Sequence, residues 1–261
     1  MQRSGSLAAD VYGEGDTSSP LVLLHGLTFD RTMWRPALEE LAAREPQQRA
    51  VAFDLPGHGE SNTQESCDID SVVATVHRAI DAAGIESPVV VGHSIGAVIA
   101  TAYAAQHPAR GVVNVDQPLF IAPFAELLQS IEAQLRGPNF AEVWQMFAAS
   151  FHVELLSPAA QEVVRTTSSP RQDLVLAYWK EVIERPVASL TAMVEARLAQ
   201  LSEQHLPYVI VAGAALDPTY ETWLQKMLPE AQVVVWPNSG HFPHLAKPAA
   251  FAKILADTAT W

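Results

Sequence analysis

Short apolar runs alternate with stretches of helical periodicity through the first and last parts of this chain. Pro20 to Leu24 is apolar throughout, and Arg49 to Asp54, Val89 to Val91, Gly111 to Asp116, Pro207 to Gly213 and Gln232 to Trp236 repeat the theme. Runs this short, rich in β-branched residues and bounded by turn residues, predict strands buried on both faces. Ser6 to Tyr12 alternates only weakly and predicts a short edge strand. Between the runs, apolar positions recur at helical spacing over Met33 to Arg44, Ile69 to Gly84, Ala97 to His107, Thr219 to Leu228 and Ala249 to Thr258. Asp68 or Asp70 is placed to cap the second of these helices and Gly84 to end it, while Pro108 stops the third. Strands alternating with helices through short links predict an α/β fold, a mostly parallel sheet with helices on both faces.

The rhythm breaks after Pro118. From Leu119 to Leu206 only helix-like segments occur, separated at Gly137-Pro138, Ser157-Pro158, Ser169-Pro170 and Arg185-Pro186. An all-helical block inserted between two strands, on the side where parallel strands end, is positioned to cover whatever sits there. The expected organisation is a core over 1–118, a helical cap or lid over 119–206, and the remainder of the core over 207–261. Most apolar lid residues should pack the lid onto the body, with a few facing a cavity, and Trp144, Phe147 and Trp179 are expected to set the preference among acyl chain lengths.

The sharpest local signal is Gly92-His93-Ser94-Ile95-Gly96, which follows Val89-Val90-Val91 and precedes a helix-like segment. A strand that turns directly into a helix must cross itself closely, and glycines two residues either side of the serine leave that room. Ser94 is thereby held at the tip of a strained turn. The backbone N–H of Ile95, at the helix start, is left to donate to a developing oxyanion.

A serine hydroxyl is a weak nucleophile and needs a base, itself oriented by a third group. Of nine histidines, His241 is the best placed, in the turn Ser239-Gly240-His241-Phe242 directly after the last strand. His244 is its rival and is expected either to support the site from behind or to be a loop hydrogen-bonder. For the orienting acid, Asp217 follows the strand ending at Gly213 and satisfies the chain order Ser…Asp…His. Its bland alternative is a helix N-cap in the Asp217-Pro218 pair. Asp116, ending the strand before the helical block, is the competing acid. His25-Gly26-Leu27 ends a buried strand, so the N–H of Leu27 is the candidate second oxyanion donor, against the plainer reading of an ordinary turn. Asp54, His58 and Ser61 are expected to make structural hydrogen bonds.

Composition narrows the partners. Sixteen Lys and Arg against 29 Asp and Glu leave a net charge of −13, which argues against nucleic acid or an anionic membrane. Cys67 is the only cysteine, so no internal disulfide forms and the cytoplasm is the expected compartment. No run of about 18 apolar residues reads as a membrane span, and no apolar run near the N-terminus reads as a signal peptide. No H-E-x-x-H, paired Cys/His spacing or phosphate-binding loop occurs, so neither a metal nor a cofactor is expected.

Five pieces together resemble the α/β-hydrolase superfamily across nearly the whole chain. They are His25-Gly26 after a strand, Asp54-Leu55-Pro56-Gly57-His58-Gly59-Glu60-Ser61, Gly92 to Gly96, Gly213 through Asp217-Pro218, and Ser239 to Pro248. The resemblance implies a mostly parallel, about eight-stranded sheet, a helical cap, a triad of Ser94, Asp217 and His241, and an oxyanion hole at Leu27 and Ile95. Ser94 in place of aspartate departs from the haloalkane dehalogenase and epoxide hydrolase branches. The chain ahead of Pro20 looks short for the usual two leading antiparallel strands. Gly213 is four positions from Asp217, and the Asp217–His241 interval of 24 is tight for the family, which keeps Asp116 in play. The implied activity is hydrolysis of an ester-like bond, a carboxylic ester or lactone, in a small, fairly apolar molecule. Thioester or carbon–carbon hydrolysis, cofactor-free perhydrolysis, and a non-catalytic ligand receptor on the same pocket are the alternatives.

Overall fold

The structure, a computed structural model, describes residues 2–15, 19–258 and 261. The chain opens with the hairpin β1 (Gln2–Ser4) and β2 (Leu7–Tyr12), then β3 (Leu21–Leu24). A 3-10 turn (Arg31–Trp34) leads into α1 (Arg35–Arg44), β4 (Ala50–Phe53) and α2 (Ile69–Ala82). Next come β5 (Val89–His93), α3 (Ile95–Gln106) and β6 (Gly111–Val115). Six helices follow without a strand: α4 (Ile121–Ser130), α5 (Glu132–Arg136), α6 (Phe140–Ala149), α7 (Pro158–Thr167), α8 (Gln172–Glu184) and α9 (Val187–Glu203). The core resumes with β7 (Tyr208–Ala212), α10 (Pro218–Met227), β8 (Gln232–Val235), α11 (Pro243–Ala246) and α12 (Pro248–Thr258).

One sheet takes the order β1-β2-β4-β3-β5-β6-β7-β8. β2 runs antiparallel to β1 and β4, and the other neighbours are parallel. Both leading antiparallel strands are therefore present, contrary to the expectation from the short N-terminus. β1 needs only three residues, because a two-residue turn at Gly5-Ser6 brings Ser4 opposite Leu7. The expected edge strand is accordingly one position in from the edge.

Every residue of β3 through β7 is buried, which is why their sequences are apolar without alternation. Leu21 and Leu23 join Trp34, Phe242 and Phe251 under α1, α11 and α12, while Val22 and Leu24 face the layer of α2 and α3. β8 is the largely exposed edge, with only Val234 half-buried. In the helical block, α9 packs on α3 and α4, and α8 on α4 and α5. α7 lies on the other side, against the 3-10 turn. Each proline-marked break falls at a helix boundary. Ser157, for instance, accepts the N–H of Ala160 at 3.3 Å as the cap of α7. Tyr178 Oη donates to the Pro56 carbonyl at 2.9 Å and the Ser169 N–H to the Thr28 carbonyl at 2.7 Å, fastening block to core. Among the described residues no helix is long and apolar enough to cross a membrane.

Four buried histidines make stability pH-dependent. Burial lowers His25 to about 4 and His244 to about 3, and drives His58 and His93 well below their ordinary 6.5. The unfolded chain then binds protons below about pH 6.5 that the folded chain refuses, so stability is complete above that pH and drains away as pH falls toward 4. Each such group contributes a slope of about 1.4 kcal/mol per pH unit inside its window. Replacing His244 with Phe should flatten the dependence of urea-unfolding free energy between pH 6 and 4.5 by about that amount. An unchanged slope would mean that His244 is protonated in the fold.

Candidate active site

β5 ends at His93, and α3 begins two residues later. The crossing is so close that a Cβ on Gly92 would collide with the Gly96 carbonyl, and one on Gly96 with the Leu24 carbonyl. Ser94 between them sits at φ +52° and ψ −126°, the strained left-handed side of the map. Its N–H donates to the Val115 carbonyl at 3.1 Å, tying the turn to β6. Its hydroxyl caps no helix N–H, and Ser94 lines the main cavity. Ile95 opens α3, so its N–H belongs to the first turn, which has no acceptor within the helix.

The acid that meets His241 is Asp116. Its Oδ2 accepts from His241 Nδ1 at 2.8 Å and its Oδ1 from the Gly213 N–H at 2.7 Å. Both carboxylate oxygens are thus committed, and the two side chains are only 16% and 21% exposed for His241 and Asp116. Asp116 lies one residue beyond β6 at φ +53°. A buried neighbour holds it there: Asn114 accepts the Gln117 N–H at 3.0 Å and donates to the Gln117 carbonyl at 2.8 Å, spanning the turn.

Asp217 is not brought to His241, which corrects the expected triad. Its Oδ1 accepts the N–H groups of Thr219 at 2.8 Å and Tyr220 at 3.2 Å, as the exposed N-cap of α10. Those backbone donors hold its carboxyl below the usual range. The physical reason is local. Pro218 starts the helix at once, so the preceding carboxylate is spent on the helix's own free N–H groups.

His241 is gripped from three directions. Asp116 takes Nδ1, while the His241 N–H donates to the Phe151 carbonyl at 2.9 Å and the Phe151 ring stacks on the imidazole at 5.0 Å and 22°. From the nucleophile turn, His93 Nε2 donates to the His241 carbonyl at 2.8 Å. This bond links the residue beside Ser94 to the backbone of His241. His244 makes no such contact. It is buried 4.7 Å from the Trp34 ring, with neither ring nitrogen hydrogen-bonded among the described residues. Its neutral ring packs 4.8 Å from that of His93, which holds the His241 carbonyl, so of the two expected parts it takes the supporting one and not the loop hydrogen bond.

The loop after β3 is pinned by two other histidines. His25 Nε2 accepts the Leu55 N–H at 2.9 Å, which leaves Nδ1 protonated to donate to the Gly26 carbonyl at 2.8 Å. His58 Nε2 accepts the Thr28 N–H at 3.1 Å. Leu27 lies between these two anchors and lines the same cavity as Ser94, Ile95, Asp116 and His241. Asp54 takes the Arg31 guanidinium and the N–H of Glu60, and Ser61 Oγ donates to the Asp54 carbonyl. Sequence inspection missed the parts played by Asn114, Phe151, His93 and Gly213. The buried polar Asn114 inside an otherwise apolar strand was the one visible signal.

Comparisons with known proteins bear on the family and the fold. A profile of the Alpha/beta hydrolase family matches residues 21–254. Over 256 residues the chain is 27% identical to the 2-succinyl-6-hydroxy-2,4-cyclohexadiene-1-carboxylate synthase of Serratia proteamaculans, covering 94% of this chain and 95% of that one. It is 26% identical over 263 residues to the pimeloyl-[acyl-carrier protein] methyl ester esterase of Yersinia enterocolitica, with 96% of each covered. Among solved structures, a thermophilic esterase from Thermogutta terrifontis superposes with a TM-score of 0.70 at 23% identity, over 97% of this chain and 94% of that one. AqDC, described by its recognition and ring cleavage of the Pseudomonas quinolone signal, superposes at 0.77 with 19% identity, over 99% of each chain. The chain belongs to the alpha/beta hydrolase family. The protein is a hydrolase.

Proposed function

We propose that this protein is a serine hydrolase that cleaves a carboxylic ester or lactone of an apolar substrate through an acyl-enzyme. The observation that carries the reading is the 2.8 Å contact between Asp116 and His241, beside the cavity that Ser94 lines. Ser94 Oγ attacks the carbonyl carbon and passes its proton to His241 Nε2. Asp116 holds Nδ1–H and balances the imidazolium. The N–H groups of Leu27 and Ile95 receive the oxyanion, and His241 returns the proton to the leaving oxygen. Water, deprotonated by His241, then releases the acid and restores Ser94. The block over 119–206 serves as the cap, and 1–118 with 207–261 as the core. The occupant is a small-molecule apolar substrate, and the lone cysteine fits a cytoplasmic enzyme. Rapid mixing with a p-nitrophenyl ester should give a burst of one nitrophenolate per chain before the steady rate. Turnover with no acyl-Ser94 detectable under any quench would overturn the reading.

A second reading has one observation in its favour. No hydrogen bond joins Ser94 Oγ to His241 among the described residues. His241 would then draw a proton from substrate or water directly in carbon–carbon bond hydrolysis, with Ser94 as a hydrogen-bonding partner. The two readings separate on Ser94→Ala, which keeps turnover only under the second.

A further inference from the structure

The cavity in front of Ser94 has a volume of about 1340 Å³. Sites for drug-sized ligands typically run to roughly 300–1,000 Å³, so a small acyl group would leave most of this one to water. Its wall is aromatic where the helical block covers it. The Trp179 ring meets those of Phe124 at 5.5 Å, Phe147 at 5.2 Å and Trp144 at 6.0 Å. Two further lining residues, Leu127 and Met146, are 46% and 76% exposed, so the apolar surface continues outward to solvent.

The charged side chains in the lining are all answered by protein groups. Asp116 is held by His241 and Gly213, and Asp217 by the first N–H groups of α10. Glu181 pairs with Arg185 at 3.1 Å, and Arg197 with Asp70 at 2.5 Å. Arg197 is the only cation lining the cavity among the described residues, and its side chain is 13% exposed. An anionic group held in the covered part of the cavity would therefore meet no unpaired cation among the described residues, inside a chain whose net charge is −13. Burying an unpaired charge is strongly unfavourable, whereas burying a hydrocarbon chain is favourable in proportion to its area.

Resting on the serine-hydrolase reading, we infer that the substrate places a long or bulky uncharged hydrocarbon group, of about ten carbons or more, in this cavity, and that an anion at the far end of that group is rejected. The relative named for a carboxylate marks the contrast. Trp179, at the centre of the aromatic wall, sets the preference.

The test uses methyl acetate, methyl decanoate and monomethyl decanedioate, the last two differing at the far end. In the full chain, kcat/KM should rise by about fourfold per added methylene from acetate toward decanoate. The decanedioate should be poorer than decanoate by roughly a hundredfold. Trp179→Ala should flatten the chain-length trend more than it lowers the rate on acetate. Asp70→Asn frees Arg197 and should shrink the discrimination against decanedioate by about tenfold. Binding of the same esters to Ser94→Ala, read by calorimetry with His241→Gln as a second inert carrier, separates the two claims. Preference for decanoate in binding, without turnover in the wild type, would overturn the serine-hydrolase reading and leave the ligand class standing. Equal or reversed binding of the esters, or unchanged discrimination in Asp70→Asn, would overturn the ligand class itself.

Discussion

Asp116→Asn is expected to lose on the order of 10⁴ in kcat, while Asp217→Asn stays within about twofold of the wild type. The asymmetry follows from what each carboxylate touches. Asp116 spends one oxygen on His241 Nδ1–H and the other on the Gly213 N–H. An amide in its place keeps the shape but can present an N–H to Nδ1, which selects the imidazole tautomer that cannot accept the serine proton. Asp217 faces only the backbone N–H groups of α10, and asparagine caps a helix about as well as aspartate. Asp217→Ala should lower stability through the lost helix cap, with little change in rate. Steady-state kinetics and urea unfolding of the three variants check this. Loss of rate in Asp217→Asn with Asp116→Asn intact would return the acid to the loop after β7.

Ser94→Ala should abolish all but about one part in 10⁶ of kcat on any ester, with the fold retained. Ser94 occupies φ +52° because Gly92 and Gly96 allow the turn to cross itself, and alanine inherits that conformation without adding bulk. His241→Ala should cost a similar amount, and the double variant little more than either, because the two groups act as a unit. Additive losses would mean that Ser94 and His241 contribute separately, as the second reading requires.

Much of this was legible in the sequence for a simple reason. Strands buried on both faces read as unbroken apolar runs, so Leu21–Leu24 and Val89–Val91 declare themselves. Proline and glycine marked the helix ends of the inserted block just as plainly. β1 was missed because three residues beside a tight turn carry no period to detect. The carboxylate that meets His241 was not singled out, because chain order ranks two aspartates at strand ends without saying which side chain is already engaged. The plainer reading of the Asp217-Pro218 pair as a helix N-cap is the one the side chain adopts, since Pro218 begins α10 and commits Asp217 to it. The part of Phe151 lay beyond sequence reasoning, since its contact with His241 spans the helical block and the last loop. The size of the cavity was equally hidden, because it depends on how the block sits over the strand ends rather than on any one segment.

The most direct measurement is the site and rate of labelling by a fluorophosphonate, mapped by peptide mass spectrometry in the wild type, Asp116→Asn and Asp217→Asn. The expected result is a single adduct on Ser94, formed at the wild-type rate in Asp217→Asn and on the order of 10³-fold or more slower in Asp116→Asn. An adduct elsewhere, an unreactive Ser94 in a protein that turns over esters, or slow labelling in Asp217→Asn would contradict a triad of Ser94, His241 and Asp116.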